Sequence, residues 1–86
     1  MYQVKFTKTA FKNLKKIQRE DQQNILDQIE LLAASPDQKS NVKKLTNSAY
    51  YRLRVGNYRI IFDREDILKI IDIIDILHRN DAYKRS

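Results

Sequence analysis

The residues of this chain whose types and spacing could do chemistry are concentrated in one stretch. Residues 50–62 read Tyr-Tyr-Arg-Leu-Arg-Val-Gly-Asn-Tyr-Arg-Ile-Ile-Phe. Two runs of alternating β-forming residues flank Gly56-Asn57, a dipeptide able to supply the left-handed backbone of a two-residue hairpin turn. With the turn there, Val55/Tyr58, Leu53/Ile60 and Tyr51/Phe62 share one face. The other face carries Arg54 opposite Arg59, Arg52 opposite Ile61, and Tyr50 opposite Asp63. Like charges facing each other across a ladder cost roughly 0.2–1 kcal/mol. The arrangement therefore needs a reason: either an anionic ligand, or simple solvation of the outer face of a half-covered sheet. The hairpin alone leaves both open.

Further candidates lie on either side. Lys39, Lys43 and Lys44 stand in the polar approach to the hairpin. The closing segment His78-Arg79-Asn80-Asp81-Ala82-Tyr83 holds the single histidine. If that segment is helical, Arg79 and Tyr83 are four apart and share a face. His78, on a strand, points opposite to Arg79 and so toward the helices, which favours a structural role over acid-base work. Asp72 and Asp75 are three apart, hence on opposite faces of a regular strand, and do not form a metal pair. No metal and no cofactor is expected.

The whole chain, 86 residues, is expected to form one small domain, 1–86, near the size where a single core is only marginally stabilising. There is no cysteine, which suits a reducing compartment. No apolar signal segment begins the chain, and its longest apolar-rich run, residues 67–77, contains Lys69, Asp72 and Asp75. A soluble, cytoplasmic protein without membrane association is expected. The net charge of +6 is unevenly spread: residues 1–38 contribute +1, residues 39–64 contribute +6 and residues 65–86 contribute −1. A basic region of this kind meets phosphate or an acidic protein that mimics it.

Tyr2 to Phe6 alternates like a short strand. Thr7 is placed to cap a helix with Ala10, Phe11, Leu14 and Ile17 on its apolar side and Lys8, Lys12, Lys15 and Lys16 turned away. Acids at Glu20 and Asp21 suit the start of a second helix, with Ile25, Leu26, Ile29, Leu32 and Ala33 as its stripe and Ser35-Pro36 as its end. Residues 37–48 read as a loop. After the hairpin, a strand from Ile67 to about Leu77 is apolar on both faces and so belongs in the sheet interior. The first strand then pairs on its free side. The expectation is an α+β fold, βααβββ, with sheet order 1-4-3-2, both helices on the Leu53/Ile60 face and the arginine face open.

A strand, two amphipathic helices, a Lys-Lys-Leu approach, a Tyr-Arg-Leu-Arg-Val-Gly-Asn-Tyr-Arg hairpin and a closing His-Arg-x-x-x-Tyr segment together resemble the RelE/ParE toxin superfamily over nearly the whole chain. Arg79 with Tyr83 resembles its RelE branch. That resemblance implies the toxin of a type II toxin-antitoxin pair that enters the ribosomal A site and cleaves messenger RNA there by metal-independent 2′-hydroxyl attack. It implies catalytic roles for Arg52, Arg54, Arg59, Arg79 and Tyr83, and RNA contacts for Lys39, Lys43 and Lys44. The implied partners are an antitoxin encoded by an adjacent gene and the ribosome, with its 16S RNA and bound message. Operator DNA would be reached through the antitoxin. Two other readings stay open at this point: a ParE-like toxin that poisons DNA gyrase without being an enzyme, and a basic nucleic-acid-binding module. Arginine titrates too high to be a good general base, so Arg52, Arg54 and Arg59 offer charge, and Tyr83 is the first choice for proton transfer.

Overall fold

The computed structural model describes residues 1–38 and 41–80. In chain order it contains β1 (Gln3–Phe6), α1 (Lys8–Lys15), α2 (Arg19–Ala34), a 3₁₀ turn (Pro36–Gln38), β2 (Val42–Lys44), β3 (Tyr51–Val55), β4 (Tyr58–Glu65) and β5 (Ile70–His78). The strands form one sheet in the order β1-β5-β4-β3-β2, with β1 parallel to β5 and the other neighbours antiparallel. The four expected strands thus take their expected order, 1-4-3-2, and a fifth is added at the edge. That fifth strand, β2, lies in the stretch expected to be a loop. Three residues, two of them exposed lysines, are too few and too polar to announce a strand.

One face of the sheet is buried by the helices. Leu53, Ile60, Phe62, Ile71, Ile73 and Ile76 pack with Ala10 and Leu14 of α1 and with Ile25, Ile29, Leu32 and Ala33 of α2. Phe62 and Tyr51, a cross-strand pair, stack with ring centroids 5.5 Å apart. Phe11 departs from the expected apolar stripe and lies exposed. Ile67 and Leu68 are likewise exposed in the turn before β5, which begins three residues later than its apolar composition suggested.

The central pairing of β4 with β5 contains an irregularity that helical and strand periodicities do not reveal. Phe62 pairs with Ile73 but Ile61 pairs with Asp75, so Ile74 is an extra residue. The bulge is where α1 is anchored. Thr7 caps the helix by accepting from the Ala10 amide at 3.1 Å, and its hydroxyl donates to the Ile74 carbonyl at 2.7 Å. Asn13, one helical turn and a half further on, donates to the Asp75 carboxylate at 2.7 Å. Asp72 lies opposite Asp63 on the uncovered face, whereas Asp75 is taken up by α1 on the helix side, so the two carboxylates face opposite ways as expected.

Candidate nucleic-acid interface

The hairpin has the register expected of it. Val55 pairs with Tyr58, Arg54 with Arg59, Leu53 with Ile60, Arg52 with Ile61 and Tyr51 with Phe62. Of the two turn residues only Gly56 takes a positive φ, +56°, the glycine-first pattern of a two-residue hairpin turn, and a Cβ there would meet nothing within 4 Å. Since Leu53 and Ile60 are fully buried under the helices, alternation places Arg52, Arg54 and Arg59 on the uncovered face.

Neighbouring strands extend that rank. Lys43 of β2 pairs with Arg52, so the two cations sit side by side. Lys44 pairs with Tyr51 and therefore belongs to the other face, where its Nζ lies 5.9 Å from the Tyr51 ring centroid. The two adjacent lysines, expected to act together, are separated by strand alternation that a loop would not impose. Arg79 is held beside the turn: its amide donates to the Asn57 carbonyl, at 2.6 Å. Arg54, Gly56, Asn57, Tyr58, Arg59 and Arg79 line a shallow concavity at this end of the sheet. Lys39 and Tyr83 lie outside the described residues.

Arg52 contributes more than charge. Its Nε is buried and has no hydrogen-bond partner among the described residues, a situation that typically costs about 1–3 kcal/mol until an acceptor arrives. One residue escaped sequence reasoning. Asn41 clamps Arg54 from β2's side, its side-chain amide donating to the Arg54 carbonyl at 2.6 Å while its carbonyl accepts from the Arg54 amide at 3.1 Å. An asparagine in a polar approach carries no sequence signal for this. Tyr50, two residues before Arg52, is 38% exposed. Strand alternation had already put it on the arginine side.

His78 faces away from this surface, as expected. Its ring meets Tyr58 edge-on at 5.2 Å, and Nδ1 accepts from the Asn80 amide at 3.1 Å. Tyr58 in turn points its hydroxyl at Asp21 of α2, 3.4 Å away. Burial first, and the Asp21 charge second, push the Tyr58 phenol above its ordinary value. Arg64, also on β4, is not a bystander of the fold. It pairs with Asp37 at 2.9 Å and Asp66 at 2.7 Å on the helix side of the sheet.

A family model for the ParE toxin of type II toxin-antitoxin systems, parDE, matches residues 4–83. The chain belongs to the RelE/ParE toxin superfamily. On fold, this RelE/ParE chain is similar to the toxin in the Methanococcus jannaschii RelB-RelE antitoxin-toxin complex: 33% identity, 95% of this chain and 98% of that one covered, TM-score 0.78. The archaeal RelE-RelB complex from Pyrococcus horikoshii gives 28% identity, 91% and 94% coverage and a TM-score of 0.79. The isolated E. coli RelE toxin shares the fold at 19% identity, with 99% and 98% coverage and a TM-score of 0.77. These structural likenesses place it on the RelE-like side of the superfamily. No match is found among curated protein sequences.

Proposed function

We propose that this toxin is a ribosome-dependent endoribonuclease that cleaves messenger RNA in the ribosomal A site. The observation that carries the reading is the open face on which Arg54 lies opposite Arg59, with Lys43 beside Arg52 and Arg79 pinned at the same end. In the proposed reaction the 2′-hydroxyl attacks the adjacent phosphorus and the 5′-oxygen leaves. Negative charge grows on the non-bridging oxygens of the pentacoordinate phosphorus. Arg52, Arg54, Arg59 and Arg79 are suited to that charge because guanidinium groups hold phosphate oxygens bidentately and do not lose their proton.

Proton transfer falls to Tyr83 in this reading, by its likeness to the RelE carboxy-terminal motif, while Lys39 and Lys43 hold the RNA backbone. Lys44 reaches RNA only around the edge of β2. Among the described residues of the open face the cations are not accompanied by a histidine or tyrosine base at the turn, so alignment of the 2′-hydroxyl is left to the ribosome. An antitoxin is the expected partner in the cytoplasm, since relatives of this fold are found in RelE-RelB complexes. Operator DNA would be bound through that antitoxin.

Primer extension on a translated message after expression tests this directly. Codon-periodic breaks are expected, with little cleavage of the same message stripped of ribosomes. A second reading, a gyrase poison, is favoured by the ParE character of the family match. Undamaged message accompanied by double-stranded DNA breaks would establish it instead.

A further inference from the structure

The charge of the amino-terminal half is not small but segregated. Residues 1–19 hold six Lys/Arg and no acid, and residues 20–38 hold five acids and no Lys/Arg, so the +1 of the whole conceals a basic first helix beside an acidic second one. On α1 the cations are ordered. Lys8, Lys12 and Lys15 fall within an arc of about 60° at 100° per residue, opposite the buried Ala10 and Leu14. Phe11, 49% exposed, borders them, and Lys15 Nζ lies 4.8 Å over its ring.

Helix stability does not account for this row. Lys8 and Lys12 are like charges at a spacing that destabilises a helix, and Lys8 stands in a first turn that contains no acid, where the dipole disfavours a cation. None of the three is paired with a carboxylate among the described residues. The helix is nevertheless held firmly, by Thr7 and Asn13 on the β5 bulge. α1 thus presents a fixed row of unneutralised cations on the helix side of the sheet, while the arginine face looks the other way.

We propose that Lys8, Lys12 and Lys15 of α1, flanked by Phe11, form a second nucleic-acid surface that grips the phosphate backbone of a base-paired RNA on the side of the protein opposite the arginine face. The charge complementarity is to a regular polyanion, which a rigid linear row of lysines matches and which releases counterions on binding. An anionic membrane fits less well, because the apolar stripe of α1 is already spent on the core and Phe11 alone is left to insert. The inference deepens the ribosomal reading, since a protein basic on two opposite sides suits a cleft with RNA on both walls, but the binding it describes is read without any cleavage assay.

The test is the salt dependence of binding to a base-paired RNA hairpin, measured for the wild-type chain, the triple variant Lys8→Gln/Lys12→Gln/Lys15→Gln, the triple Lys→Arg variant at the same positions, and Arg54→Leu/Arg59→Leu. The glutamine variant should bind at least tenfold more weakly at low salt, with the slope of log K against log salt shallower by about two to three. The arginine variant should restore both, and the melting temperature of neither should fall, since repulsion is removed or kept on an exposed face. The glutamine and Arg54/Arg59 losses should add, as the surfaces are separate. Unchanged affinity and slope in the glutamine variant would overturn the proposal, as would loss of binding to phosphatidylglycerol vesicles with RNA binding intact. Should the message remain uncleaved in cells while these binding results hold, the ribonuclease reading fails and the second surface stands.

Discussion

Arg59 and Arg64 lie on the same strand, β4, and sit in opposite electrostatic surroundings. Arg64 points to the helix side, where Asp37 and Asp66 bind its guanidinium and the Tyr2 ring lies 5.7 Å from its Cζ. Tyr2 itself donates to Asp66 at 2.9 Å, so one cation gathers β1, the 3₁₀ turn and the β4–β5 turn. Its hydrogen bonds to Asp66, then to Asp37, raise its affinity for the proton further above the ordinary arginine value. Arg59 has another arginine as its ladder partner, with Arg52 and Lys43 in the next rank. The same residue type is used in one place to tie elements together and in the other to line an uncovered face with positive charge.

Breaking the open-face side of that comparison should have the largest effect. Arg54→Leu/Arg59→Leu should fold normally, because a repulsive pair is removed from an uncovered face, and should lose growth inhibition. Loss of even one such charge from a phosphoryl transition state costs on the order of 10²-fold in rate or more. Colony formation on induction, with circular dichroism to verify the fold, checks this.

Breaking the other side should act on stability alone. Arg64→Leu removes two ion pairs whose carboxylates are largely exposed, 81% for Asp37 and 60% for Asp66, so the cost should be about 1 kcal/mol. Urea unfolding would measure it, and cleavage per folded molecule should be unchanged. Gly56→Ala sharpens the same contrast at the turn. There is room for the methyl group, but the +56° φ penalises it by roughly 1 kcal/mol, a loss visible as a lower urea midpoint with the arginine face left in register.

The smallest effect is in pH. Hydrogen bonding to Arg64, and then to Tyr2, holds the Asp66 carboxyl below its usual range. Its folded-state value is thus depressed relative to the unfolded chain, so its contribution is complete above the ordinary carboxylate range and is lost as pH falls through the lowered value. The wild-type chain should lose slightly more stability on acidification than Asp66→Asn. Parallel acid titrations followed by circular dichroism would show the two curves converging.

The comparison also marks what could be read from residues alone. The hairpin register, the Thr7 cap, the helix ending at Ser35-Pro36 and the order of four strands follow from local rules that neighbouring residues settle among themselves. The site was legible to the extent that it lies on that hairpin. The rest depends on contacts distant in sequence. Ile74 bulges because β5 must serve both β4 and the anchoring of α1, and nothing in an Ile-Ile-Asp-Ile run announces it. Lys43 and Lys44 part company only because β2 finds an edge to pair with. Arg64 acquires its role from Asp37, 27 positions earlier. The basic character of α1 was in plain sight but averaged away by the acids of α2.

The central claim is that open-face arginines act on RNA while Arg64 acts on the fold. One paired measurement tests it: melting temperature and the rate of cleavage of ribosome-bound message, on the same preparations of Arg59→Leu and Arg64→Leu. Arg59→Leu should melt no lower than wild type and cleave at least about 10²-fold more slowly, whereas Arg64→Leu should melt lower and cleave at the wild-type rate per folded molecule. Equal cleavage by the two variants, with both folded, would contradict the account.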